Sequence, residues 1–160
     1  MKNILTKIFS SKADLNFKEK SFLEITEKTK VSEIFKVISN YNDSSEIRYV
    51  GGCVRKILNN EKIDDIDLAT NLKPNEVKEC LQNNNIDFFE TGIEHGTITA
   101  RLDEKNFEIT SLRKDISTDG RHAIVEFTND WKEDASRRDF TINSIYADLE
   151  GNLFDPNDGL

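Results

Sequence analysis

Two glycines at the end of a short apolar run constrain this chain most. Ile47 to Val50 is followed by Gly51 and Gly52, then by helix-forming residues from Val54 to Leu58, then by a short strand carrying Asp65, Ile66, Asp67 and Leu68. Glycine at a strand end lets the backbone bend tightly and lets an anion approach the chain unobstructed. A helix beginning there turns unpaired N–H groups toward that anion, and Arg55 adds a planar donor fork. Asp65 and Asp67 are two apart, so on a strand both carboxylates face one way. Gly-Gly alone is an ordinary turn and Asp-x-Asp alone is a solvated strand end. Together, in one strand–helix–strand unit, they make a site for Mg²⁺ and a triphosphate.

The 160 residues suffice for one globular domain with a core, and 36% hydrophobic with 32% charged residues excludes a disordered chain. No apolar run approaches the ~20 residues of a membrane span, so no membrane association is expected. MKNILTKIFSSK lacks the apolar centre of a secretory signal, and Ile4, Leu5, Ile8 and Phe9 fit one face of a short helix. Cys53 and Cys80 have no ligand-like spacing to each other or to His95 and His122, which implies neither zinc nor a disulfide and makes cytoplasmic residence the expectation. The net charge of −8 argues against a domain that grips RNA unaided. Yet of seven arginines, Arg55, Arg113, Arg121, Arg137 and Arg138 fall in the stretches that carry motifs. The pattern is an acidic body with arginine aimed at one small anion.

Val31, Ile34, Phe35 and Ile38 follow helical spacing, and Pro74 opens a second helix with Val77, Cys80 and Leu81 on its buried side. Ile86 to Phe89 reads as a strand. Thr97 to Leu102 alternates, turns at Asp103 to Asn106, and returns as Phe107 to Leu112. Asp115 to Phe127 reads as a polar loop before a short strand, and Trp131 to Ile145 as mainly helix. Tyr146-Ala147-Asp148 and Leu153-Phe154 would close a hairpin across Glu150-Gly151. Strands and helices mix without regular alternation, which predicts an α+β domain.

Arg137-Arg138-Asp139 reads two ways. On an exposed helix it is a solvated, salt-bridged face. Within RRDFTIN, Phe140 and Ile142 would anchor the segment and Asn143 would add a neutral donor and acceptor, a set suited to phosphate and ribose. Glu108 is either a third carboxylate beside Asp65 and Asp67 or a strand-surface glutamate. His95 and His122 read as a turn residue and a loop residue.

Four stretches now combine: GGCVR with DIDLAT, EHGTITA (Glu94 to Ala100), FEITSLRKD, and DGRHAIVEF followed by SRRDFTINSIYAD. They resemble the tRNA nucleotidyltransferase/poly(A) polymerase family, the bacterial-type branch of the polymerase-beta-like nucleotidyltransferases. Gly51, Gly52, Val54, Arg55, Asp65, Asp67, Ala69 and Thr70 match its GGxVR and DxDxAT signatures. Lys56 stands where that family has Asp, and Ser144 where it has Ala. The resemblance implies a small mixed or antiparallel sheet flanked by helices. It also implies Mg²⁺-dependent nucleotidyl transfer from CTP or ATP to the 3′ end of RNA, in particular tRNA CCA addition. Asp65, Asp67 and Glu108 would be catalytic and the two aspartates would hold Mg²⁺. Gly51, Gly52, Arg55, Arg137, Arg138, Asp139 and Asn143 would bind the nucleotide. Residues 1–46 would form a lead-in and amphipathic helix, and 47–160 the catalytic head. The family's helical neck, body and tail would follow Leu160, so the chain is expected to be the catalytic head of a longer enzyme or of a split one completed by a separate helical RNA-binding half. The alternatives are a residual head that binds nucleotide and Mg²⁺ without extending RNA, and a transferase acting on a small molecule.

Overall fold

A computed structural model describes residues 20–118 and 123–160. The apolar face predicted from Ile4 to Phe9, and both Arg121 and His122, lie outside the described residues. Helix α1 covers 20–28, followed by α2 (Val31–Ser39), β1 (Ile47–Val50), α3 (Gly52–Leu58), β2 (Asp67–Thr70) and α4 (Pro74–Asn83). Next come β3 (Asp87–Gly92), β4 (Thr97–Leu102), β5 (Lys105–Ser111), β6 (Arg113–Thr118), β7 (Ala123–Phe127), α5 (Trp131–Ser136), β8 (Tyr146–Ala147) and β9 (Leu153–Phe154). Seven strands form one sheet in the order β3-β4-β5-β2-β1-β8-β9, with β6 and β7 as a separate ribbon. Within the sheet β2 and β5 run parallel, and the other neighbouring strands are antiparallel. This is the α+β architecture that the mixed pattern of strands and helices predicts.

Period-two alternation sorts the strands into two faces. Ile47, Tyr49, Leu68, Ile98, Ala100, Phe107 and Ile109 point to one side, where they join Val31, Ile34, Phe35 and Ile38 of α2, Val54 and Ile57 of α3, and Val77 and Leu81 of α4 in one core. Phe22 and Ile25 of α1 belong to that core too. The opposite side is covered near β1 and β8 by α5, through Val50, Ala69, Leu112, Trp131, Ala135 and Tyr146. Asp67 and Glu108 lie on that same side, beyond α5's cover, at paired positions of β2 and β5.

Three elements depart from the sequence reading. The strand predicted to carry Asp65 begins only at Asp67. Gly51 turns β1 away at φ 70°, so residues 61–66 have no strand beside them on that side. In the stretch Asp115 to Phe127 the expected short strand is present as β7, but residues 115–118, expected as loop, belong to β6, its antiparallel partner, so that Asp115 faces Val125 and Arg113 faces Phe127. The helix predicted over Trp131 to Ile145 stops at Ser136, and Thr141–Ser144 is a 3-10 turn. Its continuation would need Ala135's carbonyl for the next turn. That oxygen instead accepts Asn157 Nδ2 at 3.0 Å and the Arg138 N–H at 3.2 Å. Phe140 then lies in extended backbone and is 66% exposed, so it does not anchor the segment as expected; the partly buried Ile142 does.

Candidate active site

Gly51 adopts φ 70° and ψ −130°, a conformation essentially restricted to glycine, and starts α3 directly beneath the turn. A side chain added at either Gly51 or Gly52 would meet nothing within 4 Å, and no side chain caps the helix. The space above the turn is therefore open. One turn into α3, Arg55 Nη1 donates to Asn143 Oδ1 at 3.4 Å and so joins the glycine motif to the 3-10 turn of RRDFTINS. Lys56 turns elsewhere and pairs with Asp64 at 3.1 Å, which ties the segment before Asp65 to α3 and lowers the Asp64 carboxyl's pKa. Lys56 and Arg55 thus engage different partners, Asp64 and Asn143.

The parallel register sets Asp67 directly beside Glu108. Asp67 is half-buried, while Glu108 and Asp65 are exposed. Burial raises the Asp67 pKa, and the negative charges of Glu108 and Asp65 raise it further; the nearby Arg138 guanidinium works in the opposite direction. The three predicted carboxylates therefore share one electrostatic neighbourhood, although Asp65 sits in the coil before β2 rather than on it. Among the described residues, no group of three or more His, Cys, Asp or Glu side chains forms a closed metal cage. Asp65 and Asp67 are the carboxylates that could serve a divalent cation bound through one or two carboxylates together with substrate phosphates.

The arginine pair is organised by a residue that the sequence reading missed. Asp134, on α5, is 1% exposed. Its Oδ1 accepts Arg137 Nε and the Arg113 N–H, each at 3.1 Å, and its Oδ2 accepts Arg138 Nε at 3.3 Å, Arg138 Nη2 at 3.1 Å and Tyr146 Oη at 2.6 Å. Burial alone would raise the Asp134 pKa, but Arg138, Arg137, Tyr146 and the Arg113 amide outweigh it and the net shift is downward. Arg113 contributes a third guanidinium, which donates to the His95 carbonyl at 2.8 Å. Burial and the charges of Arg137 and Arg138 pull its own pKa below the usual range. Asp139 is exposed and makes no side-chain hydrogen bond or ion pair among the described residues, so it stands apart from this cluster. The signal for Asp134 in the sequence was its i+3 and i+4 spacing to the two arginines.

Carboxylates at a strand pair, an open glycine turn and a fixed arginine cluster on one side of a mixed sheet define the class of protein. Residues 47–160 match the poly A polymerase head domain, and the chain belongs to that family, whose head carries a polymerase-beta-like nucleotidyltransferase fold. Over 114 residues it is 54% identical to the mitochondrial CCA tRNA nucleotidyltransferase 1 of Homo sapiens, a match that covers 71% of this chain and 26% of that protein. It is 38% identical over 127 residues to the CCA-adding enzyme of Lactobacillus johnsonii, covering 78% of this chain and 31% of that one. The crystal structure of the Bacillus stearothermophilus CCA-adding enzyme in complex with CTP superposes with a TM-score of 0.68 at 31% identity, over 79% of this chain and 29% of that chain. The chain thus spans about a third or less of the length of these relatives.

Proposed function

We propose that this chain is the catalytic head of a nucleotidyltransferase that adds CTP- and ATP-derived nucleotides to the 3′ end of tRNA. The supporting observation is the placement of Asp67 and Glu108 side by side with Arg138 in electrostatic reach, while Arg55 and Asn143 link the glycine turn to the arginine segment. The relatives' names support the choice of tRNA and of CCA addition. In this reading residues 47–160 are the head and 1–46 a lead-in and amphipathic helix. Cytoplasmic residence remains the proposed location, and among the described residues no helix is long and apolar enough to cross a membrane.

Asp67 and Asp65 would hold Mg²⁺. When bound, Mg²⁺ would neutralise phosphate charge and lower the pKa of the attacking RNA 3′-hydroxyl. Arg55, Arg137 and Arg138 would hold the triphosphate over the turn at Gly51 and Gly52 and stabilise charge on the departing pyrophosphate. Asn143 would meet the ribose hydroxyls. Glu108 would orient the 3′-hydroxyl or take its proton.

The test is labelled-nucleotide incorporation on tRNA lacking its terminal CCA, with CTP and ATP supplied separately. The chain should bind both weakly and with similar affinity in a Mg²⁺-dependent way, and should extend tRNA slowly and with poor selectivity. A helical RNA-binding half supplied in trans should restore rate and selectivity together. Absence of Mg²⁺-dependent nucleotide binding would refute the catalytic reading. Efficient, ordered C-C-A addition by these residues alone would refute the need for a helical half.

A further inference from the structure

We propose that Asp134 is a positioning residue that orients Arg137 and Arg138 toward the phosphates of the incoming nucleotide, an inference that rests on the nucleotide-binding reading above. A buried carboxylate needs compensation, and one bidentate arginine would provide it. Asp134 holds two, and it holds both by the Nε edge. Arg137 spends only Nε on the carboxylate, and its two terminal nitrogens have no protein partner among the described residues. Arg138 spends Nε and Nη2 and keeps Nη1. A guanidinium is planar, so fixing its Nε side leaves the opposite edge available as a donor fork.

The charges also fit a polyanion. Arg113 lies close enough to Arg137 and Arg138 for their charges to lower its pKa, and this mutual repulsion of the guanidiniums would be relieved by phosphate oxygens. Asp134 is itself fixed by the scaffold. Arg113 at the start of β6 donates its backbone N–H to it, and Tyr146 of β8 donates its hydroxyl. The Tyr146 ring stacks edge-on against Trp131 of α5 at 5.1 Å. Two long side chains that would otherwise lose rotamer freedom on binding are thereby held in place beforehand.

A purely structural Asp134 would tie α5 to β6 and β8 without regard to ligand charge, so the decisive readout is dependence on phosphate number. Mg²⁺-dependent binding of ATP, ADP and AMP is measured by calorimetry on the whole chain and its variants. Asp134→Asn keeps the size and an acceptor oxygen but loses the charge that holds both arginines. Loss of charge-assisted contacts predicts about 10-fold weaker ATP binding, less for ADP and least for AMP. Arg137→Lys keeps the charge, but an ammonium cannot be held at Nε while presenting a second edge, so ATP binding should also fall by roughly 5–10-fold. Arg101→Ala removes an exposed arginine outside the cluster and should hold ATP affinity within about 2-fold. Equal losses for ATP and AMP in Asp134→Asn would overturn the proposal, as would Arg137→Lys binding ATP like the wild type or Arg101→Ala matching Asp134→Asn. If Asp134→Asn does not fold, Arg137→Lys decides. A wild-type chain that binds no nucleotide overturns the functional reading itself, whereas wild-type binding with unaffected variants overturns this inference alone.

Discussion

Replacing Asp67 by Asn should stabilise the free protein while removing Mg²⁺-dependent nucleotide binding. Asp67 and Glu108 occupy paired positions of neighbouring strands. Strand spacing sets such positions about 5 Å apart, where two like charges repel by ~3 kcal/mol at an effective dielectric near 20 and by ~0.8 kcal/mol in water. Asp67 is half-buried and Glu108 is exposed, so solvent screening favours the lower figure; a gain of about 1 kcal/mol corresponds to roughly 2–4 °C in Tm for a domain this size. The pH dependence follows from the raised Asp67 pKa, whose first cause is burial and whose second is Glu108. A carboxyl raised in the folded state lowers stability fully above that raised value. The penalty disappears as pH falls toward the unfolded value, because the native state then binds the extra proton. The advantage of Asp67→Asn should therefore be full at neutral pH and shrink in acid. Thermal unfolding in chelator-containing buffer across that range, paired with ATP calorimetry in Mg²⁺, measures both halves. A Tm at neutral pH equal to or below the wild type would show that the carboxylates are not held against each other.

Arg55→Ala should weaken ATP binding by about 10-fold through loss of a charge-assisted contact, whereas exposed Arg101→Ala should change it less than 2-fold, both read by calorimetry. Arg48→Ala is a stability variant rather than a surface control, because the Arg48 guanidinium lies 4.2 Å from the Trp131 ring centroid and 4.7 Å from that of Phe154; a cost of roughly 1 kcal/mol should appear in denaturant unfolding. Gly51→Ala should cost about 1–3 kcal/mol because of its positive φ, while Gly52→Ala, with open space and no positive φ, should leave unfolding unchanged but weaken ATP binding if phosphate lies against that turn. Burial raises the pKa of both cysteine thiols to about 11, so native protein at pH 8 should resist alkylation at Cys53 and Cys80 and react fully only after unfolding.

The parts of the fold readable in the sequence are those decided by short-range pattern. Helical spacing from Val31 to Ile38 gave α2, Pro74 gave the start of α4, and alternation with a polar turn gave β4 and β5. The turn itself is tighter than expected, because Asp103 and Glu104 both take positive φ (48° and 63°) and bring Leu102 opposite Lys105. What pattern could not supply was set by distant partners. The end of α5 depends on Asn157, more than a dozen residues downstream, reaching the Ala135 carbonyl. Of the β6–β7 ribbon only β7 carries an apolar signal, whereas β6, reading Arg-Lys-Asp-Ile-Ser-Thr, looks like loop until its pairing is known. In the candidate site, the two aspartates, the glycine turn and both arginines were visible as motif residues. Asp134 was not, because a single acid on a short helix looks like surface until its burial is known.

The seam between β2 and β5 joins strands separated by α4, β3 and β4, and among the described strands only the pairing of β1 with β8 spans more chain. The β3–β4–β5 meander closes over short turns, while the seam must close a long loop, so it carries a large share of the chain-entropy cost of folding. Asp67 and Glu108 sit across that seam and repel each other. A partly opened molecule that releases β2 would keep the meander and lose the carboxylate pair entirely. The chain can therefore hold no half-built acid site. Anything that binds between those side chains also fastens two strands separated by α4, β3 and β4, and ligand occupancy and completion of the fold become a single equilibrium.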